Sequence, residues 1–285
     1  DTTRAVVLQR NNVLDVACYG IMVYESEAAT VSDNHVTGVQ VSGMSLGYTR
    51  LVNMAGNVVR NVLRRPGATV YGAAGISVAW GDTLRSTGDS VVNVGATGLT
   101  VYSMSAGFVD RLVVLLPDRD SINGVAVYFT KGRYVLTNSH LADTRSNNLV
   151  SVYGTTTRLF SRGNRLERAG YNGISTWGSP SGSPVVGFAD TLVSVADTVL
   201  TTRYVAIRAE GAKYVRVDSA VVDSAGSNGV HVLGTAATVF TSTGARVSRV
   251  VTAIQNDSSA SAMVSDAIVT NYRGTGLRIL NGGPA

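Results

Sequence analysis

The side chains that could do chemistry in this chain are few and scattered. Of the three histidines, His35, His140 and His231, the last stands in "SNGVHVLG", at the centre of a short alternating apolar phrase. Arg208 and Glu210 stand about two dozen residues earlier, in "IRAEG". A neutral imidazole accepts a proton, and a guanidinium beside it steadies an acidic sugar, so His231, Arg208 and Glu210 form a candidate catalytic group if the fold brings them together. A second candidate is the carboxylate pair Asp118 and Asp120, which flanks Arg119 in "LLPDRDS". Hydrolysis of a glycosidic bond needs two carboxylates roughly 5–10 Å apart. A charged surface turn accounts for that stretch equally well. The lone Cys18 provides neither a disulfide framework nor a thiolate metal site, and no cofactor or metal is expected.

A third set of candidates is aromatic. Trp80, Tyr102, Tyr128, Tyr153 and Trp177 recur at a similar place in successive stretches of the chain. Rings held one above another present a strip on which the apolar C–H faces of sugars can lie. The same rings could equally stack on one another for structural reasons.

The elements that must position these residues are short strands. Nearly the same phrase returns as "TGLTVYS", "NGVAVYF", "NGISTWG", "NGVHVLG" and "TGLRILN". Its first apolar residue is read at Ile21, Val39, Ile76, Leu99, Val125, Leu149, Ile174, Val205, Val230, Ala253 and Leu277. A second phrase runs in phase with it, as in "YVLTNSHL" and "RLFSRGNRL". Apolar alternation sends successive side chains to opposite faces of a strand. A fixed period of this kind signals a solenoid in which each strand pairs with its equivalent one turn later. Gly before the apolar triplet suggests a corner made by positive φ. Asn or Asp at the other corner (Asn34, Asn57, Asp89, Asn138, Asn164, Asp197, Asp218 and Asp266) suggests a ladder of stacked polar side chains. Two turns are lengthened, between Val39 and Ile76 and between Ile174 and Val205.

These phrases resemble the right-handed parallel β-helix proteins of the pectate-lyase-like superfamily across essentially the whole chain. The resemblance implies an all-β, single-stranded solenoid of about 10–12 coils with roughly 24 residues per coil, forming a single domain over 1–285. It implies a polysaccharide or cell-surface glycan as partner and an extracellular or cell-surface setting. It leaves open a binding or structural module on one side and a polysaccharide-degrading enzyme, a lyase before a hydrolase, on the other. The signature motifs of pectate lyases, polygalacturonases and alginate epimerases are missing.

Composition sets further bounds. The 24 Lys and Arg against 19 Asp and Glu give a net charge of +5, spread singly rather than in a basic stripe, so no nucleic acid partner is expected. No apolar run is long enough to insert in a membrane. The chain opens "DTTRAV" with neither Met nor a leader, and coil-like phrases reach close to both ends. Open strand edges invite pairing, so the expectation is a piece of a longer protein, or ends covered by flanking domains or by other copies in a homo-oligomer.

Overall fold

The computed structural model describes residues 3–63, 74–117, 122–152, 156–176, 189–235 and 237–280. Among the described residues three parallel sheets of 11 strands each wind around one apolar interior, and every strand except those at the two ends pairs with the strands one turn before and after it. One coil illustrates the rest. Thr83–Thr87 lies in the first sheet, Ser90–Val94 in the second and Thr97–Tyr102 in the third. Gly88-Asp89 and Gly95-Ala96 make the two short corners, and Ser103–Ser105 leads to the next coil.

In the third sheet Val125, Leu149 and Ile174 share one inward column, as the repeat predicts. The whole column reads Ile21, Met44, Ile76, Leu99, Val125, Leu149, Ile174, Ile207, Val230, Ile254 and Leu277. Three positions differ from the sequence reading. Val39 closes a second-sheet strand and pairs with Val62, so Met44 takes its place. Val205 gives way to Ile207, and Ala253 to Ile254. Apolar side chains from all three sheets fill the interior, and each fully buried Val or Leu contributes about 1.5–3 kcal/mol.

The glycines of the triplet do a different job from the one their position suggests. Gly20, Gly43, Gly75, Gly98, Gly173 and Gly229 do not have positive φ. A Cβ at Gly98 would lie 2.4 Å from Val114 Cγ1 of the second sheet and 2.7 Å from the Gly124 carbonyl oxygen. The other five meet Val36, Val59, Val91, Val199 and Val247 at 2.2–2.4 Å. Most of the column is glycine because the second and third sheets converge there, and Asn148, Ala206 and Ala253 take positions in the same column.

The polar ladder exists, at the corner between the first and second sheets. The Asn34 amide and side chain donate to Asn57 Oδ1, and those of Asn57 donate to Asp89 Oδ1. Farther along, the Ser139 amide donates to Asn164 Oδ1, and the Asn164 amide and side chain donate to Asp197 Oδ1. Asn138, Asp218 and Asp266 are not rungs. Asn138 and Asp266 occupy left-handed corner positions, and Asp218 ends a strand, paired with Arg216. The rung beside Asn138 is Ser139, which also accepts from the Leu112 amide at 3.0 Å.

Candidate functional site

The outward side chains of the third sheet and of the corner that follows it carry the aromatic candidates. Trp80 and Tyr102 are neighbours, with ring centroids 5.3 Å apart. They belong to a longer ladder. Tyr24 meets Tyr48 at 5.8 Å, Tyr48 stacks on Trp80 at 4.8 Å with planes 16° apart, and Tyr102 meets Phe129 at 5.2 Å. Tyr24, Tyr48, Trp80 and Phe129 are exposed and Tyr102 is half-buried. Tyr128 pairs in register with Tyr102, yet it is only 6% exposed and packs with Ala126 and Val150. Tyr153 and Trp177 lie outside the described residues. Among the described residues the ladder runs through the first five coils.

Two backbone features build this ladder. Tyr48, Trp80 and Phe129 sit one residue beyond their strands at φ 52°, 55° and 49°, so each ring swings out at the left-handed corner. Tyr24 ends its own strand and lies over Gly47, where a Cβ would come within 2.8 Å of its ring.

Beside the ladder, the centre positions of the third-sheet strands are buried over the central coils, at Thr100, Ala126, Val150 and Ser175. Val150 holds the centre position that alternation from Leu149 gives it, whereas Arg208 takes the place that counting from Val205 gives to Ala206. Toward the C-terminal coils the face opens and becomes ionic. Arg208 lies directly in register with His231, and His231 is in register with Gln255. Arg208 donates to Glu210 at 2.8 Å, so this pair stands one coil before His231. His231 Nε2 lies 3.1 Å from Asp257 Oδ2, which also accepts from Gln255 at 2.7 Å. Asn228 donates in turn to Gln255. Asp257 escapes sequence reasoning because alternation counted from Ala253 turns Asn256 outward. In the structure Asn256 is buried and Asp257 shares a column with Leu233. The imidazole is thus gripped by a carboxylate on one side with a guanidinium one coil below, an arrangement able to orient a ring nitrogen toward a bound chain. Asp118 and Asp120 lie outside the described residues. Among the described residues no group of three or more His, Cys, Asp or Glu side chains could hold a metal ion.

No protein-family model matches the chain, and no curated protein does. Solved structures do. The catalytic unit of a thermostable GH87 alpha-1,3-glucanase from Streptomyces thermodiastaticus strain HF3-3 superposes over 98% of this chain and 62% of its own, at 12% identity and TM-score 0.55. This chain is a right-handed parallel β-helix with the pectate-lyase-like fold. The Streptococcus pneumoniae surface protein and adhesin PfbA matches over 97% of the β-helix and 91% of its own chain, at 10% identity and TM-score 0.49. The A-module of the Azotobacter vinelandii mannuronan C-5 epimerase AlgE4 matches over 99% and 90%, at 9% identity and TM-score 0.43. The β-helix spans less than two thirds of the glucanase chain. At these identities the likeness is one of fold.

Within the β-helix, the aromatic ladder and the ionic cluster belong to the same sheet. Tyr24 and Tyr102 fall at the strand position that Glu210 and Asp257 occupy farther along. Coils repeat about every 4.8 Å, so both regions line one straight edge.

Proposed function

We propose that this β-helix is a secreted or cell-surface module that binds a polysaccharide along the edge of its third sheet and serves as a rigid adhesive element. The observation that carries this reading is the unbroken run of ring contacts from Tyr24 through Tyr48, Trp80 and Tyr102 to Phe129, four of whose rings are exposed. Exposed rings at regular spacing expend no entropy on ordering when a chain docks, and they offer faces rather than hydrogen bonds. A carbohydrate partner also agrees with the alpha-1,3-glucanase among the proteins of the same fold. The test is retention in affinity gels cast with a panel of soluble glucans and other linear polysaccharides. Slowed migration on at least one polymer, relieved by Trp80→Asn and Tyr48→Asn, is the expected result. Wild-type retention in both variants on every polymer that slows the parent overturns the reading.

A second reading, cleavage of an acidic polysaccharide, is favoured by the His231–Asp257 contact beside Arg208. In β-elimination a base takes the proton next to the uronate carboxyl, the freed electron pair forms a C=C bond as the neighbouring glycosidic C–O bond breaks, the leaving oxygen takes a proton from water, and an unsaturated sugar is left. His231 supplies the base and Arg208 the cation that steadies the acid. Incubation with a polyuronate and measurement of unsaturated product decides it, because a pure binding module releases none.

A further inference from the structure

A second surface of the β-helix has the opposite character to the aromatic ladder. At the corner between the second and third sheets, a cleft of about 890 Å³ is lined by Asp143, Thr144, Arg145, Arg168, Thr202 and Arg203 among others. A neighbouring cleft of about 400 Å³ is lined by Thr202, Arg203, Ser224, Arg249, Asn271 and Arg273 among others. Thr202 and Arg203 line both, so the two join into one groove running along the solenoid axis. All five arginines are exposed.

Their arrangement follows from the coil repeat. Arg168 and Arg249 sit at the left-handed corner position, with φ 48° and 54°. Arg168 is paired with Asp143, and Arg249 with Asp223. Those pairings pull both carboxyls below the usual carboxylate range, chiefly through the hydrogen bonds from the two arginines, so the acids stay ionised and neutralise only part of the charge. Arg145 and Arg203 lie two residues farther on, separated in their column by Gly170, while Gly226 follows Arg203. A Cβ at Gly170 would sit 2.2 Å from the Arg145 carbonyl oxygen, and one at Gly226 would sit 2.0 Å from that of Arg203. Over these four coils the column alternates long cation and bare backbone, which sets Arg145 and Arg203 about two coil rises apart, on the order of 10 Å. Among the described residues Arg145, Arg203 and Arg273 have no acidic partner. The Arg203 guanidinium lies 5.7 Å from the Tyr204 ring, and Tyr204 packs on Tyr171 at 4.6 Å.

We infer that this groove binds a linear acidic polysaccharide, lying along the axis on the side of the third sheet away from the aromatic ladder. Guanidiniums recognise carboxylate or sulfate groups by paired hydrogen bonds. The hydroxyl and amide side chains between them that reach the surface, Thr201, Ser224 and Asn271, match sugar hydroxyls. The exposed Tyr204 gives one ring face beside Arg203. Single-stranded nucleic acid is the weaker match, because it favours a succession of ring platforms for its bases, and this groove places its ring pair in only two adjacent coils. The inference does not depend on the aromatic ladder.

The test compares two triple variants of equal net charge. One is Arg145→Gln/Arg203→Gln/Arg273→Gln. The other is Arg4→Gln/Arg60→Gln/Arg85→Gln, at exposed sites elsewhere. Binding of polygalacturonate, a neutral linear glucan and an oligothymidylate is measured from low to moderate salt. The groove triple is expected to weaken polygalacturonate about tenfold or more at low salt and to flatten its salt dependence. The control triple is expected to stay within about twofold of the parent. Equal losses in the two triples would reduce the effect to overall charge and overturn the site. Tighter binding of oligothymidylate than of polygalacturonate, lost in the groove triple, would assign the groove to nucleic acid instead. Loss of polygalacturonate binding in Trp80→Asn alone would move acidic-chain binding to the ladder.

Discussion

Tyr48 and Trp80 stack with centroids 4.8 Å apart and planes 16° from parallel, and that spacing equals the rise of one coil. Both residues have positive φ, and both follow the last residue of a third-sheet strand. The stack is therefore set by backbone registration, with little help from side-chain packing beneath it. Trp80 remains 44% exposed and Tyr48 52% exposed.

Removing either ring should weaken polysaccharide retention without unfolding the coil. Asn is the substitution of choice, because it tolerates the left-handed conformation better than Ala. Trp80→Asn and Tyr48→Asn are each expected to reduce affinity about fivefold to tenfold, corresponding to ~1–1.4 kcal/mol for a lost ring contact. Affinity electrophoresis measures this, with a thermal melt close to that of the parent as the control for folding.

The glycine column makes a prediction about stability. Gly98→Ala places a methyl against Val114 and the Gly124 carbonyl in a fully packed corner. Overpacking of this kind costs about 1–3 kcal/mol, and more where backbone is the obstacle. Gly88 has φ +65° and open space within 4 Å of where a Cβ would stand, so Gly88→Ala meets only the left-handed penalty of ~1–2 kcal/mol. Denaturant titration should rank Gly98→Ala as the more damaging. The opposite order would mean that the two sheets do not converge at this column.

Much of this fold is legible in the alternation itself. Leu99-Thr100-Val101 and Val125-Ala126-Val127 announce strands, and their spacing announces the coil. Register is harder to read where two alternations abut. In "VTGVQVSGMSLG" both Val39-Val41 and Met44-Leu46 alternate, and only the approach of Gly43 to Val59 shows which belongs to the third sheet. A slip of one position exchanges the faces of a strand, which hides Asp257 and turns Asn256 outward. The aromatic ladder is half legible. Trp80 and Tyr102 stand out in the sequence, whereas Tyr48 and Phe129 project from corners where the period-two rule no longer applies. The burial of Tyr128 depends on what surrounds Ala126 and Val150, and no local pattern reports that.

The polar corner ladder gives stability a pH dependence with two opposed parts. Burial pushes the carboxyls of Asp89 and Asp197 up, against hydrogen bonds from Ser86 and Asn57 in one case and from Ser194 and Asn164 in the other. A carboxyl raised on folding favours the native state below its unfolded pKa of about 3.9, and that contribution is lost as pH rises through the folded value. Glu167 behaves oppositely. Burial would raise it, but Arg168 and Arg165 hold it below the usual range, so its contribution is present near neutrality and lost on acidification. Asp197→Asn should therefore raise the melting temperature at neutral pH, with the gain vanishing toward the unfolded pKa. An amide fits there, because Asn164, the preceding rung, already donates from its side chain to Ser161 at 2.9 Å across the same three-residue spacing as Ser194 and Asp197. A variant less stable than the parent at neutral pH would show that Asp197 is held ionised.

The ionic end of the third sheet yields a prediction that separates positioning from packing. Asp257 receives Gln255 and faces His231, while Arg208 lies one coil below the imidazole. If the cluster performs elimination on an acidic chain, His231→Gln removes the base and should abolish formation of unsaturated product. Asp257→Asn keeps the shape but no longer stabilises a charged imidazole, so it should lower kcat by about 10²-fold or more and leave KM nearly unchanged. Arg208→Lys keeps a positive charge without the planar fork, so its main effect should fall on KM for the acidic substrate. Thermal melts of the three variants provide the reference, because a merely structural cluster would lose stability in each and show no split between kcat and KM. Absence of unsaturated product from the parent protein itself, across a panel of polyuronates, would assign the cluster to binding or to packing.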